Sequence, residues 1–264
     1  MHSNFVSHVI KRISCAAVAG TILFSAGAAF SATIDLTATI RDFLDSHPDM
    51  EQDIGGVDPG IVSSTLGADS KPVYALGGSG STSTTNGKTF FDQWYRDTAG
   101  VNATTTKTLT LTETFAGSGV FAFSSSSYFP IDGELLGNQG RAHNYHFTTE
   151  IHGSFTYTGG EKFTFSGDDD VFAYIDGALV VDLGGIHTPL TKVVLLDDLG
   201  LTIGETYDFD FFHAERQTSG SNFTFSTTIA LEDAPLPTPE PGMLAMVGLG
   251  LVTIAGLRRR QRAI

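Results

Sequence analysis

The fold is decided by the stretch FTFSGDDDVFAYIDGALVV, residues 163–181. Its first residues alternate between apolar and polar, which indicates a β-strand with one buried face. An apolar run from Val171 to Ile175 follows, then Asp176-Gly177, then a second apolar run from Ala178 to Val181. Asp-Gly between two apolar runs predicts a β-hairpin with a type I′ turn, because both turn positions need a positive φ.

The same two-residue period is found upstream of this stretch. Residues 144–151 and 154–158 alternate, and Gly159-Gly160 separates them from a further alternating run at 162–165. Two such runs joined by glycines are typical of a β-hairpin, since glycine readily adopts the positive φ of tight turns. We therefore predict a hairpin about Gly159-Gly160.

Alternation also continues downstream, at 207–212 and 223–227. No long amphipathic helical pattern occurs in residues 33–232, and the best candidate for a helix is short, Thr39 to Leu44, before His47-Pro48. Many short strands with regular turns are typical of an antiparallel sandwich. The predicted fold class is therefore all-β, an antiparallel β-sandwich with short helices.

One low-complexity segment interrupts this pattern. Gly77 to Lys88 consists almost wholly of glycine, serine and threonine, which predicts a long flexible loop. It separates residues 34–76 from the strand-rich remainder, but the first part has too few apolar residues for a core of its own. We therefore expect one domain, residues 33–234.

The charge of the chain lies unevenly along its 264 residues. Six of the 15 basic residues stand at the two ends, which leaves nine against 28 acidic residues between positions 33 and 238, a net charge of −19. Such a field repels phosphate backbones, so it excludes nucleic acid as a partner and favours cations. The 41% hydrophobic content and 20 phenylalanines exclude wholesale disorder.

The N-terminus, residues 1–32, is typical of a secretory signal peptide. Lys11 and Arg12 precede an apolar, alanine-rich run from Ile13 to Phe30, and small residues suited to cleavage lie between Ala26 and Ala32. A membrane anchor helix is the alternative, which the small residues and the lack of a basic flank after the run disfavour.

Cysteine usage agrees with export. Cys15 is the one cysteine, and it precedes most of the apolar run, which disfavours a lipoprotein signal. Once the signal is removed, the protein has to be stabilised by its core, by bound ions, or by both.

The C-terminus, residues 235–264, has three parts in order. Pro239-Glu240-Pro241 comes first, then the apolar run Met243 to Leu257, then the arginines Arg258, Arg259 and Arg260. The apolar run is short for a membrane span, which needs about 20 residues, and the arginines favour the cytoplasmic side. The arrangement resembles the PEP-CTERM sorting signal of Gram-negative bacteria; a plain C-terminal anchor is the alternative.

This resemblance implies a processing partner and a destination. An exosortase-type enzyme would recognise Pro239-Glu240-Pro241 and process the tail, with transient membrane association of residues 243–257 as a transmembrane helix. The protein would pass through the inner membrane and reach the cell envelope, the cell surface or the extracellular matrix of a biofilm.

The feature most suggestive of chemistry is Asp168-Asp169-Asp170, between predicted strands. Three adjacent carboxylates repel one another, and a hard cation such as Ca²⁺, which takes six to eight oxygen ligands, is one reason to concentrate them. A solvated acidic turn is the other interpretation, since aspartate is common in loops. The spacing excludes an EF-hand, because Phe172 occupies a ligand position.

The deciding stretch, together with several other segments, resembles the fibro-slime domain, a relative of the protective-antigen-type lectin-like β-sandwich. The segments that carry this resemblance are 39–43, 47–49, 91–96, 163–177, 182–187, 211–216 and 221–223. Because proteins of this wider group include toxins, glycosidases and flocculins, the resemblance implies the fold more firmly than the activity.

In calcium-binding members of that group, two consecutive aspartates joined by a cis peptide bind the ion, and an asparagine from a second loop adds to them. The resemblance places these ligands at Asp168, Asp169 and Asn222. Asp170 stands where many members have glycine. Ca²⁺ held there would leave positions for vicinal sugar hydroxyls, with Asp168, Asp169 and Asp170 contacting the ligand.

The function expected from this resemblance is calcium-dependent binding of an extracellular polysaccharide or glycan. A matrix protein whose ion only stabilises the fold is the alternative, and a glycoside hydrolase is the less favoured third. We expect no enzyme, since no G-x-S-x-G elbow or thiol nucleophile is present. Five histidines of the strand-rich region are expected to be hydrogen-bonded rather than zinc ligands. They are His143, His146, His152, His187 and His213.

Overall fold

The computed structural model of the chain describes residues 31–51, 55–78 and 80–234. Within these ranges the chain is almost entirely β. The strands are β1 (Thr33–Phe43), β2 (Gly56–Val57), β3 (Asn102–Glu113), β4 (Phe121–Ser125), β5 (Phe147–Thr156), β6 (Lys162–Gly167), β7 (Asp170–Ile175), β8 (Ala178–Leu183), β9 (Gly185–Ile186), β10 (Leu190–Leu195), β11 (Thr206–Glu215), β12 (Phe223–Thr227) and β13 (Glu232–Asp233). One short α-helix, α1 (Lys88–Phe91), and one 3-10 turn at Leu196–Leu199 complete the described elements.

The strands form one large antiparallel sheet that curls upon itself. Its order is β10-β6-β12-β4-β3-β1-β5-β11-β7-β8, with β13 beside β5, and β2 pairs separately with β9. Strands distant in this order face each other across the core, since Phe163 of β6 lies 5.4 Å from Phe209 of β11 between ring centroids. Phe165 lies 5.4 Å from Phe211 in the same way. The predicted antiparallel β-sandwich is confirmed.

The Asp176-Gly177 hairpin is also confirmed. Strands β7 and β8 pair antiparallel on either side of it. Asp176 has a φ of 51° and Gly177 a φ of 71°, as a type I′ turn requires.

The predicted hairpin about Gly159-Gly160 is wrong. The alternating runs are strands, but β5 pairs with β1 and β11, whereas β6 pairs with β10 and β12. The two glycines therefore carry the chain from one layer of the sandwich to the other. A glycine pair permits a sharp reversal without specifying which neighbour the next strand takes.

The predicted helix from Thr39 to Leu44 is wrong as well. Residues 39–43 belong to β1, which pairs with β3 on one side and β5 on the other. Thr39 and Ile40 are β-branched, and a stiff branched side chain suits a strand better than a helix. The two-sided pairing makes β1 a central strand.

A second apolar cluster lies on the other face of β7 and β11, away from the sandwich core. Phe172, Tyr174 and Phe212 from these strands pack there against Phe91 and Trp94 from the region of α1. This cluster joins the N-terminal part of the chain to the sandwich, in agreement with a single domain, whose boundaries at 33 and 234 stay a prediction.

The glycine, serine and threonine segment forms a loop that is packed against the domain at Thr84 and Thr85. Thr84 and Thr85 are buried. Thr84 donates through its N–H and its hydroxyl to Asp58 Oδ2, at 3.0 and 2.8 Å, and Thr85 is hydrogen-bonded to the Tyr74 hydroxyl. Thr84 and Thr85 are therefore held by residues outside the segment, and the flexibility expected of the loop stays a prediction.

Among the described residues, no helix is long and apolar enough to cross a membrane. The signal segment up to residue 30 and the whole sorting segment, including the apolar run 243–257 predicted as a transmembrane helix, lie outside the described residues.

Candidate functional site

The first two aspartates of the acidic triplet lie between two strands, and strand pairing brings Asn222 to them. Strand β6 ends at Gly167 and β7 begins at Asp170, so Asp168 and Asp169 form the connection. Because Gly167 pairs with Phe223 of β12, the residue before Phe223 comes beside Asp168. Asn222 donates from its backbone N–H to Asp168 Oδ1 at 2.5 Å and from Nδ2 to Oδ2 at 2.9 Å.

Asp169 is held by two different loops. Its Oδ1 accepts the backbone N–H of His187 at 2.9 Å, and its Oδ2 accepts that of Arg216 at 3.2 Å. The peptide bond between Asp168 and Asp169 is cis, as the resemblance implies. Three segments therefore meet at the two aspartates: the end of β6, the loop after β9 and the loop between β11 and β12.

These segments surround an open pocket of about 400 Å³. Its lining includes all three residues predicted as metal ligands, Asp168, Asp169 and Asn222, together with His187 and Ser219. The structure thus brings the predicted ligands together at one solvent-accessible depression.

Asp170, predicted to contact a ligand, does not line this pocket. It is fully buried, with Oδ1 accepting the Gly185 N–H at 2.6 Å and Oδ2 accepting Arg216 Nε at 2.7 Å. Burial raises the pKa of Asp170, and the guanidinium of Arg216 opposes this rise. Asp170, which stands where many members of the resembled group have glycine, therefore holds the loop from its buried side.

Arg216 is the buried partner of this loop. Its Nη1 donates to the carbonyl oxygen of Thr84 at 2.6 Å, and its guanidinium carbon lies 4.7 Å from the ring centroid of Trp94. Adjacent side chains of a strand point to opposite faces, so an ion pair with Glu215 is not expected. Arg216 pairs instead with Asp170 of the acidic loop.

Burial and mutual repulsion set the protonation of the site. Burial, with the neighbouring carboxylate of Asp170, raises the pKa of Asp169 well above its usual range. His213 is fully buried, which lowers its pKa to about 4. Its Nε2 donates to the carbonyl oxygen of Asp168 at 2.8 Å, so the neutral ring carries its proton on Nε2.

Sequence reasoning missed a fourth acidic residue, Glu215. It is 1% exposed, and neither of its carboxylate oxygens has a hydrogen-bond partner. Burial, then the charges of Asp169 and the other two aspartates, raise the pKa of Glu215 well above its usual range. The buried Ser221 hydroxyl lies close enough to lower the pKa of Glu215, although the two groups do not meet the distance and angle of a hydrogen bond. The available signal was the placement of Glu215 two residues after His213, on the same strand face.

The donor set suits a hard cation. Carboxylate and carboxamide oxygens with nearby backbone carbonyls are what Ca²⁺ prefers, and an orphaned buried carboxylate indicates a missing positive charge. Within the described residues, no three His, Cys, Asp or Glu side chains already converge closely enough to hold a metal ion. The residues fit calcium in type, and all four oxygens of Asp168 and Asp169 accept hydrogen bonds from the protein.

The five histidines have hydrogen-bond partners, as predicted. Besides His213, these partners are Asp132 for His143, Glu51 for His146, Asp210 and Glu150 for His152, and the carbonyls of Leu183 and Thr188 for His187. His152 lies between two carboxylates, with both of its ring nitrogens 2.5 Å from an oxygen. It is a cross-strand link between β5 and β11.

The fold and pocket define a class: an all-β sandwich module with an acidic binding depression at the ends of its strands. Comparison with known families is consistent with this class. Residues 123–241 match the PA14 domain, and residues 237–260 match the PEP-CTERM protein-sorting motif. A PA14 domain and a PEP-CTERM sorting motif are thus found in the chain, which confirms the resemblance seen in the sequence. PA14 domains are binding or structural domains, and the sorting motif indicates export and surface sorting in bacteria.

Curated relatives come from Dictyostelium discoideum. Protein psiC is 42% identical over 214 residues, which cover 75% of this chain and 42% of psiC. Protein psiD is 43% identical over 212 residues, again 75% of this chain and 42% of the relative. The chain thus spans less than half the length of these relatives.

Among solved structures, the PA14 domain of the MpAFP antifreeze protein is 12% identical, with a TM-score of 0.29, over 46% of this chain and 79% of that domain. A TM-score this low supports no conclusion about the present chain.

Proposed function

We propose that this protein is an exported surface protein that binds carbohydrate through a calcium-dependent site in the pocket of Asp168, Asp169 and Asn222. The observation that supports it is the convergence of these three residues, from two separate loops, on one open pocket of about 400 Å³. Bound Ca²⁺ would supply coordination positions for the vicinal hydroxyls of a sugar, as hard cations take many oxygen ligands.

The chain itself would contribute the shape and the charge of the site. Asn222 can offer either its oxygen or its nitrogen by rotation of its carboxamide, so it can exchange its bond to Asp168 for a cation contact. His187 and Ser219 at the pocket wall would contact the glycan and set specificity. Asp170, which is buried behind the loop, would act through Arg216 and not on the sugar.

A second function is favoured by one specific observation. The oxygens of Asp168 and Asp169 already connect three segments through backbone N–H groups. An ion here could therefore hold the loops together without binding a glycan, which makes the chain a structural protein of the extracellular matrix.

A glycan array in Ca²⁺ and in EGTA separates these functions. A lectin function predicts that the wild type binds some extracellular polysaccharide or glycan in Ca²⁺. EGTA should abolish this binding, and Asp169→Asn should lack it. Asp198→Asn, at an exposed position outside the pocket lining, is the matched control and should bind like the wild type. Calcium-dependent stability with no bound glycan would favour the structural protein instead.

The sorting motif supports a proposal about delivery. An exosortase-type enzyme would process the chain at Pro239-Glu240-Pro241 after export through the inner membrane of a Gram-negative bacterium, with transient membrane association of residues 243–257. The mature protein would then belong to the cell envelope, the cell surface or a biofilm matrix. Mass spectrometry of the mature chain tests this, since replacement of Glu240 by alanine should leave the tail uncleaved.

A further inference from the structure

Glu215 is the most anomalous polar group in the part of the chain that the structure describes. Both of its carboxylate oxygens are buried without a hydrogen-bond partner. Buried polar groups in proteins are almost always hydrogen-bonded, and a buried charge requires a partner of opposite sign. A carboxylate in this position therefore indicates that something which neutralises it binds nearby.

The surroundings of Glu215 add more negative charge without a matching positive charge. The charges that act on it are those of Asp169, Asp168 and Asp170. Among the described residues, these three aspartates and Glu215 make one ion pair with an arginine or lysine, which joins Asp170 to Arg216. Four carboxylates thus share one guanidinium, which pairs with Asp170 and not with Glu215.

Strand geometry places Glu215 beside the acidic loop. It shares a strand face with His213, whose ring donates to the carbonyl of Asp168. The next residue, Arg216, donates its backbone N–H to Asp169. Glu215 therefore lies at the inner side of the connection that carries Asp168 and Asp169, beside the buried Ser221 that precedes Asn222.

We propose that Glu215 belongs to the cation site, as a buried fourth acidic residue whose negative charge is neutralised by the ion bound at Asp168, Asp169 and Asn222. This inference rests on the proposed function, because it presupposes the cation. Glu215 raises the affinity of the pocket for a divalent cation from below, whether or not its oxygens enter the coordination sphere. It is not part of the surface that a glycan touches.

The competing explanation is that Glu215 is neutral and only fills space beside Ser221. The two explanations differ in how a neutral isostere behaves. If the ion neutralises Glu215, Glu215→Gln should lose cation affinity, while the cation-free variant gains stability because glutamine has neither a charge to bury nor a proton to take up on folding. If Glu215 is a neutral filler, glutamine should leave cation affinity unchanged.

The experiment is calorimetric titration of the purified chain with Ca²⁺, together with thermal unfolding in EGTA. We expect Glu215→Gln to weaken Ca²⁺ binding by about 10- to 100-fold, the range found for residues that support metal ligands. We also expect it to unfold at a higher temperature than the wild type in EGTA. Glu215→Asp, which keeps the charge, should bind Ca²⁺ more tightly than Glu215→Gln.

Glu161→Gln is the matched control, since Glu161 is also a buried glutamate with one unpartnered oxygen, while its other oxygen accepts hydrogen bonds from Thr158 and from no residue of the site. It should bind Ca²⁺ like the wild type. Wild-type affinity in Glu215→Gln, with the protein folded, overturns this inference alone. Absence of Ca²⁺ binding by the wild type overturns the inference and the calcium part of the proposed function together.

Discussion

Arg216 donates from Nε to Oδ2 of Asp170 across 2.7 Å, and both side chains are completely buried. The same guanidinium reaches the carbonyl oxygen of Thr84 and lies over the ring of Trp94. One side chain therefore fixes the acidic loop to the threonine-rich segment and to the second apolar cluster. The shape of the pocket therefore depends on the buried contacts of Arg216.

Removal of the Arg216 guanidinium should destabilise the protein strongly. Arg216→Met leaves the Asp170 carboxylate buried without its partner, and breaking a buried pair costs about 3–5 kcal/mol. Urea denaturation measures the loss. Arg96→Met is the control, because the Arg96–Asp69 pair is partly exposed and such pairs contribute about 0–1 kcal/mol. Equal losses in the two variants would contradict the central role of Arg216.

Gly167 is required by close packing next to the site. A Cβ at this position would lie 2.3 Å from the carbonyl oxygen of Asn222 and 2.7 Å from Cζ of Phe165. Because that carbonyl also accepts the N–H of Asp168 at 3.2 Å, any shift displaces two predicted ligands together.

Gly167→Ala should therefore cost stability and cation affinity at once. Overpacking of this kind costs about 1–3 kcal/mol. Gly77→Ala is the control, because nothing lies within 4 Å of a Cβ at Gly77. Urea denaturation and Ca²⁺ titration of both variants check the prediction. Wild-type Ca²⁺ affinity in Gly167→Ala would contradict it, because the displacement of Asp168 and Asn222 would then have no effect on binding.

Asp42 should make stability depend on pH in the mildly acidic range. Its side chain is buried, Oδ1 has no hydrogen-bond partner, and burial raises its pKa to about 6. An unfolded chain releases this proton at about pH 4. Between these values the unfolded state binds fewer protons than the native state, so the contribution of Asp42 to stability falls as the pH rises.

Asp42→Asn cannot ionise and should lack this fall. Relative to the wild type, the variant should therefore gain stability between about pH 4 and pH 6 and keep a constant difference above pH 6. Urea denaturation at a series of pH values measures the difference. Asp198→Asn, an exposed substitution, controls for the change of residue type. A constant difference between Asp42→Asn and wild type from pH 4 to pH 7 would refute the assignment.

Local sequence was sufficient for part of this structure and insufficient for the rest. The turn at Asp176-Gly177 follows from the dihedral angles that two residues can adopt, and the proximity of Asp168, Asp169 and Asn222 was expected from the family resemblance. The glycine pair at 159–160 marked a reversal correctly, but the partners of β6 are β10 and β12, about 30 and about 60 residues further along the chain.

Glu215 and Arg216 could not be assigned from sequence for the same reason. Their environments arise from the simultaneous pairing of β11 with β5 and β7, which brings the ends of β6, β9 and β11 together. The error at Thr39–Leu44 has a related cause. A short segment with mixed propensity takes the structure of its neighbours, and pairing on both sides made it a strand.

Calcium should stabilise the folded protein by an amount that grows with the logarithm of its concentration above the Kd. A ligand that binds only the native state adds about 2.7 kcal/mol at 100 times its Kd, which is about 5–10 °C in Tm for a domain of this size. We expect this rise for the wild type and for the exposed-site control Asp198→Asn. Asp169→Asn and Asn222→Ala should reduce it in parallel, because each removes one of the predicted ligand oxygens from the pocket. Differential scanning calorimetry at several Ca²⁺ concentrations measures the rise in Tm. The same measurement with Mg²⁺ at equal concentration tests the selectivity of the site, since Mg²⁺ demands a tighter octahedral geometry than Ca²⁺. If Asp169→Asn keeps the full wild-type rise, the cation binds elsewhere in the chain.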